Sequence, residues 1–218
     1  MMRKHFDEQL ALLNQELTIM GGMCEEAIAL VAKALTENDR ELAKKVVPLD
    51  EEIDQMERDI EALCLKLLLQ QQPVAGDLRQ ISAALKMITD MERIGDQAED
   101  ISEIISFLHD YEIPEHNTIY EMAGATSKMV TDSIDAYVKK DISLSEKVIA
   151  DDDFVDECFN KVKANLIQVI AANPMEGEFA LDLLMIAKYF ERIGDHATNI
   201  AEWVEFSITG HHANEQNL

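Results

Sequence analysis

Apolar side chains recur every three or four residues through most of the chain, which is the spacing of one face of an α-helix. In the first third of the sequence this stripe runs from Phe6 to Ala34 and ends at the polar pair Asn38 and Asp39. Asp39 can cap a short continuation, which we expect to stop before Pro48 because the residue before a proline disfavours helical backbone. The pattern therefore predicts one long helix followed by a brief helical segment.

Two further helices are predicted in the first half of the chain. One runs from about Asp50 to Gln70 and carries its apolar residues on one face. Residues 71–76 contain a proline and a glycine and are predicted to form a loop. Asp77 then stands where the N-cap of a third helix is expected, and that helix is predicted to end near Leu108.

The second half of the sequence repeats the first. Residues 92–101 recur at 191–200 with seven of ten positions identical, at an offset of 99. A second match pairs residues 34–54 with residues 136–156 at an offset of 102, without a gap. Because self-similarity over such long spans indicates a duplicated structural unit, each half is predicted to be one three-helix unit.

The duplication predicts an all-α fold of two tandem three-helix bundles, six long helices in total, related by a pseudo-two-fold axis. The first repeat is predicted over residues 1–112 and the second over residues 113–210, with a linker at 110–117. Residues 211–218 are polar and are predicted to form a flexible tail.

Composition narrows the range of functions. The chain of 218 residues has 19 Lys and Arg against 43 Asp and Glu, a formal charge of −24, with 47% hydrophobic residues. This balance argues against a nucleic-acid binder and against direct contact with an anionic membrane, and it favours cations and basic partners. No apolar run is long enough to cross a bilayer, and no signal peptide is apparent. Cys24, Cys64 and Cys158 are expected to be reduced core residues of a cytoplasmic protein.

The repeat retains carboxylates spaced four residues apart. On a helix such a pair lies on one face with about 6 Å between Cβ atoms, and two like charges there disfavour the helix by roughly 0.2–0.5 kcal/mol. Four pairs occur at matched places in the two halves: Asp50 with Asp54, Glu92 with Asp96, Asp152 with Asp156, and Glu191 with Asp195. If the second and third helices of a half are antiparallel neighbours, four carboxylates converge, and a hard cation such as Mg²⁺, Ca²⁺ or Mn²⁺, or iron, satisfies them.

Several neighbouring residues bear on this hypothesis. Asp100 extends the first ladder by one turn, whereas its counterpart Asn199 keeps a carbonyl oxygen without the charge. Gly95 and Gly194 lie inside the predicted third helices, where glycine costs roughly 1 kcal/mol relative to alanine, so close helix approach or room for a ligand is expected there. His196 points about 100° away from Asp195 and is not expected to share its cation. The competing interpretation is that the acids form solvated faces.

Catalytic motifs are not found. The sequence contains no glycine-rich phosphate loop and no nucleophile elbow. No histidine follows a glutamate by three residues, as a four-helix di-iron site requires. Arg93 and Arg192 are expected to form structural ion pairs.

Two three-helix repeats that each end in a Glu-Arg-Ile-Gly-Asp helix resemble the PhoU family of phosphate-uptake regulators. The resemblance extends from about Phe6 to Ile208, and its most specific stretches are residues 73–79, 90–96 and 189–200. It implies a cytoplasmic, often dimeric adaptor that is not an enzyme. It also implies negative control of the Pst phosphate transporter and of the phosphate-starvation sensor histidine kinase, with contact to the membrane only through the transporter.

The same resemblance implies metal binding through Glu/Asp-x-x-x-Asp pairs, which fall on the eight carboxylates of the four pairs above. With the ladder extensions, the predicted metal ligands are Asp50, Asp54, Glu92, Asp96, Asp100, Asp152, Asp156, Glu191, Asp195 and Asn199. The identity of the metal stays open among Fe, Zn, Mg, Mn and Ca. Two alternatives stay open as well: a carboxylate-bridged metal-handling protein or metallo-enzyme, and a structural helical dimer whose acids are only solvated.

Overall fold

The amphipathic stripes form α-helices. This computed structural model describes residues 2–70, 73–108 and 118–211, and these residues include no strand. Six helices are long, as predicted, α2 is a single turn, and a turn of 3₁₀ helix at Pro174–Glu176 precedes α7. The helices are α1 (Met2–Glu37), α2 (Arg40–Ala43), α3 (Val46–Gln70), α4 (Ala75–Phe107), α5 (Thr118–Lys139), α6 (Ile142–Ala172) and α7 (Gly177–Thr209).

The cap of α2 is confirmed, but the predicted start of the next helix is wrong. The Asp39 carboxylate accepts a hydrogen bond from the Leu42 backbone N–H at 3.0 Å and so caps α2. Helix α3 begins at Val46, about four residues earlier than expected, and it includes Pro48 in its first turn. Proline is tolerated there because the first N–H groups of a helix have no intrahelical acceptor to lose.

The start of α4 also differs from the prediction. Asp77 is the third residue of the helix rather than its N-cap, which is Val74. The Asp77 carboxylate accepts a hydrogen bond from the Val74 backbone N–H at 3.1 Å. An acid in the first turn satisfies an exposed donor and lies at the positive end of the helix dipole, so it stabilises the start of the helix from inside.

The two halves pack as predicted for a duplicated unit. Helices α1, α3 and α4 pack together, as do α5, α6 and α7, and the halves meet where α1 contacts α5 and α4 contacts α7. Each helix at this seam therefore meets its own repeat counterpart, which is the arrangement that a two-fold axis produces. One cluster of buried apolar side chains includes residues of all six long helices, and Cys24, Cys64 and Cys158 lie in it as free cysteines.

Parts of the sequence prediction fall outside the described residues. The linker 110–117, the boundary between residues 112 and 113, and the tail beyond residue 211 are among them, so the domain limits stay predictions. Within the described ranges, none of the helices combines the length and the apolar character that crossing a bilayer requires.

Candidate metal centre

Three predicted carboxylates converge between α3 and α4. Asp50 and Asp54 lie one turn apart on α3, and Asp96 faces them from α4; each offers an oxygen within 4.8 Å of the other two. The short connection between the helices makes them antiparallel neighbours, so the beginning of α3 lies beside the second half of α4. In this half, three of the four paired acids therefore lie close together, and Glu92 is not part of that trio.

Gly95 makes the close approach of Asp50 possible. A Cβ atom at position 95 would lie 2.6 Å from Asp50 Oδ1 and 3.2 Å from Ile53 Cδ1, so an alanine there would displace the Asp50 carboxylate and press on Ile53. The expectation that close packing compensates for a glycine inside the helix is confirmed at this position. Gly95 thus sets the depth at which the Asp50 carboxylate rests against α4.

The Asp50 carboxylate is held in an unfavourable environment for its charge. Its side chain is only 7% exposed, and burial, followed by the charges of Glu99, Asp96, Asp54 and Glu92, raises its pKa from 3.8 to about 7. Atom Oδ1 is inaccessible to solvent and has no hydrogen-bond donor. A buried carboxylate oxygen without a donor is costly, and a cation at this position would satisfy it.

Glu99 belongs to this cluster although the sequence analysis did not select it. Its carboxyl shares a hydrogen bond with Asp50, and burial raises the pKa of Glu99. A signal was available, because Glu99 lies three residues after Asp96 and therefore on the same helix face. Glu99 lies outside the four-residue spacing of the carboxylate pairs, however, and its counterpart in the second half is Thr198.

Glu92 and Arg93 complete the first cluster. Burial raises the pKa of Glu92, and so does the nearby charge of Asp96. The Arg93 guanidinium lies 3.4 Å from Glu92 Oε2 and 3.1 Å from Asp96 Oδ2, which confirms the expected structural ion pair. The Arg58 guanidinium lies 3.3 Å from Asp54 Oδ2 in the same cluster. Two arginines therefore face five carboxylates, and part of the negative charge stays uncompensated.

The corresponding carboxylates of the second half gather more loosely. Burial and then the charges of Asp195, Asp156 and Glu191 raise the pKa of Asp152 to about 6. Asp156 and Asp195 are exposed, however, and no trio as tight as that of the first half is found in the described part of the second. A Cβ atom on Gly194 would lie 3.4 Å from Asp152 Oδ1, an ordinary contact distance.

A lysine further distinguishes the second cluster. The Lys188 ammonium pairs with Glu191 and lies 5.5 Å from the centre of the Phe159 ring. The corresponding residue in the first half is Thr89, which has no charge. Lys188 therefore supplies positive charge beside the second cluster, and the two clusters differ in charge as well as in packing.

The two ladder extensions contact the opposite half of the molecule. Asn199 donates a hydrogen bond to Asp90 Oδ1 at 3.0 Å, and His196 Nδ1 lies 2.9 Å from the same oxygen. On the symmetric side of the seam, Asp100 forms a hydrogen bond with Tyr189. Positions 90 and 189, like positions 100 and 199, are repeat counterparts. Neither extension belongs to the trio of converging carboxylates, and His196 is directed to Asp90.

Comparison with known proteins identifies the family. The PhoU domain matches residues 17–105 and again residues 119–204. The phosphate-specific transport system accessory protein PhoU homolog of Clostridium acetobutylicum is 35% identical over 214 residues, covering 96% of this chain and 97% of that protein. The homolog of the same name from Caulobacter vibrioides is 36% identical over 215 residues, covering 98% and 94%.

Solved structures agree with the fold. The crystal structure of PhoU from Pseudomonas aeruginosa superposes with a TM-score of 0.91 at 32% identity, covering 94% of this chain and all of that one. That of the phosphate transport system regulatory protein PhoU from Streptococcus pneumoniae superposes with a TM-score of 0.86 at 24% identity, over 95% and 99%, and supports the fold alone. Two matched domains and full-length relatives above 30% identity show that this chain belongs to the PhoU family.

Proposed function

We propose that this protein is a non-catalytic accessory protein that regulates a phosphate-specific transport system. The support is the family, since full-length relatives bear that description and the domain match extends over both halves. The action is negative control of phosphate uptake and of the phosphate-starvation response. The protein acts from the cytoplasm by contacting the ATPase subunit of the Pst transporter and the sensor histidine kinase.

The first carboxylate cluster is proposed to bind a metal ion through Asp50, Asp54 and Asp96, with Glu92 and Glu99 close by. The observation that carries this proposal is Asp50 Oδ1, a buried oxygen without a hydrogen-bond donor in the middle of like charges. Oxygen ligands at this spacing suit a hard divalent cation or iron. A bound cation would neutralise the cluster and hold α3 against α4 at the depth that Gly95 permits.

The second cluster is proposed as a weaker site, formed by Asp152, Asp156, Glu191 and Asp195. Its side chains are more exposed than those of the first cluster. The Lys188 ammonium pairs with Glu191 and neutralises part of the negative charge that would attract a metal ion. The ladder extensions Asp100 and Asn199 are proposed to act as outer ligands only if their contacts across the seam open.

Elemental analysis of the purified, dialysed protein tests the metal proposal. We expect stoichiometric metal in the parent, a large loss in Asp96→Asn, and a smaller loss in Asp195→Asn. The matched control is Asp59→Asn, which removes an exposed acid of α3 outside the cluster. Equal metal content in the parent and in Asp96→Asn would contradict the proposal, as would a parent without metal.

Co-purification tests the adaptor proposal separately. The tagged chain is isolated from cells grown with and without phosphate, and the transporter ATPase and the sensor kinase are sought in the eluate. We expect both partners in at least one condition, with a homodimer of the chain as the binding form. Absence of both partners under both conditions would reject the adaptor role, and redox turnover by the metal-loaded protein would favour the metal-handling alternative instead.

A further inference from the structure

A cavity of about 470 Å³ lies at the seam between the two halves. It is lined by Asn14, Gln15 and Thr18 of α1, and by residues at the start of α4, around the end of α5 and near the end of α7. The volume falls in the range of small-molecule sites, roughly 300–1,000 Å³. The cavity therefore joins the two repeats at a place that the carboxylate clusters do not use.

The lining of this cavity is positively charged in a strongly acidic protein. None of its eleven described lining residues is Asp or Glu, whereas two of them, Arg79 and Lys140, are cations. In the chain as a whole, 43 of 218 residues are acidic. Among the described residues neither cation forms an ion pair with a carboxylate, although the neighbouring Lys139 pairs with Asp135 at 2.8 Å. Both positive charges thus remain available to a ligand.

The neutral polar groups of the lining also leave donors available. Asn14 Oδ1 accepts hydrogen bonds from Gln80 Nε2, at 2.7 Å, and from the Tyr137 hydroxyl. Because its acceptor is used within the cavity wall, the side-chain amide of Asn14 has its two N–H groups left to offer. The Arg79 Nε atom is inaccessible to solvent and has no hydrogen-bond acceptor. The hydroxyls of Thr18, Tyr137 and Ser207 donate their hydrogen bonds within the protein. The donors left for an oxyanion are therefore those of the Asn14 amide and of the two cations.

The backbone of Lys140 has an unfavourable conformation. This residue follows α5 with φ of 52°, in the left-handed region that non-glycine residues other than Asn and Asp rarely adopt. Its repeat counterpart Asn38 has the same conformation, with φ of 51°, after α1. Asparagine suits this position, whereas lysine brings strain, so the second repeat holds a less favourable residue at a position that lines the cavity.

We propose that this cavity binds a phosphoryl oxyanion, as inorganic phosphate or a phosphorylated small metabolite, through Arg79 and Lys140. The guanidinium offers two parallel N–H donors to phosphate oxygens, and the ammonium adds a second charge. The Asn14 amide contributes neutral donors, and the Tyr137 ring offers an apolar surface to the organic part of a phosphorylated metabolite. Because first-half and second-half residues both line the cavity, a ligand there strengthens the seam. The inference stands on the cavity and not on the proposed function.

Calorimetric titration of the full chain in the presence of a chelator tests this proposal. The probes are inorganic phosphate and adenosine monophosphate, against sodium chloride at equal ionic strength, and the tighter of the two phosphate probes identifies the source of the phosphoryl group. We expect Lys140→Asn and Arg79→Gln each to weaken binding at least tenfold. The control Lys163→Gln removes a positive charge from the surface of α6, outside the cavity, and should bind as the parent does.

Stability measurements separate a binding role from a structural one. Without ligand, Lys140→Asn should raise the melting temperature by about 2–4 °C, because it relieves left-handed strain. Higher stability with weaker phosphate binding supports the proposal and cannot result from misfolding. Failure of both probes to bind at millimolar concentration would overturn it. So would binding that survives both variants, or that requires added metal and is lost in Asp96→Asn instead.

Discussion

The two repeats differ in how closely α3 or α6 packs against the glycine of their most similar sequence. Gly95 and Gly194 stand in identical Glu-Arg-Ile-Gly-Asp segments. At Gly95 an added Cβ would meet Asp50 Oδ1 at 2.6 Å, whereas at Gly194 the nearest atom, Asp152 Oδ1, is 3.4 Å away. Close packing against side chains of α3 therefore favours glycine at position 95, whereas position 194 has room for a methyl group.

Alanine at each glycine should have opposite effects on stability. Gly194→Ala should raise the free energy of unfolding by up to about 1 kcal/mol, the helix-propensity gain of alanine over glycine. Gly95→Ala should lower it by about 1–3 kcal/mol, because the methyl group overpacks the contact with Asp50. Urea denaturation of the metal-free variants measures both, and each variant serves as the control for the other. A stabilising Gly95→Ala would show that α3 yields without cost.

Asp50 is expected to limit stability when no metal is bound. Asp50→Asn removes a buried charge that its neighbours Asp54, Asp96 and Glu99 disfavour, and the new amide can donate to Glu99. In chelator at pH 7.5 the melting temperature should rise by about 2–4 °C. Added Mn²⁺ or Mg²⁺ should then stabilise the variant less than the parent. The exposed change Asp59→Asn is the control, and a destabilised Asp50→Asn in chelator would refute this account.

Among the elements, α4 and α7 carry the polar contacts that fasten the two repeats together. Asp90 of α4 receives Asn199 and His196 of α7, and Asp100 of α4 receives Tyr189 of α7. These contacts lie on the two symmetric sides of one seam. The last helix of each repeat, α4 or α7, therefore also forms polar contacts with the other repeat.

Tyr189→Phe tests the strength of that fastening. Loss of a hydrogen bond to a carboxylate should lower the free energy of unfolding by about 1–2 kcal/mol. A double-mutant cycle with Asp100→Asn, followed by urea denaturation, isolates the pair, because the second change should cost less once the first is made. Strictly additive effects of the two changes would mean that Tyr189 and Asp100 do not interact in solution.

The helices were predictable from sequence because the apolar spacing indicates each helix and the repeat indicates the same three helices in both halves. The residues at which the chain enters a helix were less predictable. Pro48 and Asp77 are both compatible with several positions in a first turn, and the path of the preceding chain decides which one each occupies. Glu99 was not predicted because it lies three residues after Asp96, outside the four-residue spacing of the carboxylate pairs. The contact of Asp90 with His196 depends on how α4 docks on α7, and no local pattern encodes docking.

At the scale of the whole molecule, excess negative charge opposes folding, and the largest shifts in carboxyl pKa lie in the two clusters. Burial and like charges raise the pKa of Asp50 from 3.8 to about 7 and that of Asp152 from 3.8 to about 6. Asp132 is different: hydrogen bonds and charges from Lys128 and Lys147 outweigh its burial and lower its pKa. The clusters therefore hold protons in the folded state that the unfolded chain has already released.

The stability of the metal-free protein should consequently fall as pH rises. Between about pH 4 and pH 7 the folded state binds more protons than the unfolded state, so the free energy of unfolding decreases with each step in pH. We expect a higher melting temperature at pH 5.5 than at pH 7.5 in chelator. The slope should be shallower in an Asp50→Asn, Asp152→Asn double variant.

Divalent metal should reverse this trend, because it competes with protons for the same carboxylates and binds only where they are ionised. Its stabilising effect should be small at pH 5.5 and large at pH 7.5. The comparison needs three melting curves at each pH: in chelator, with Mn²⁺, and with Mn²⁺ on the double variant. If stability in chelator rises with pH, or if metal stabilises equally at both values, the clusters do not hold the protons that their geometry assigns to them. Charge repulsion would then be spread over the surface.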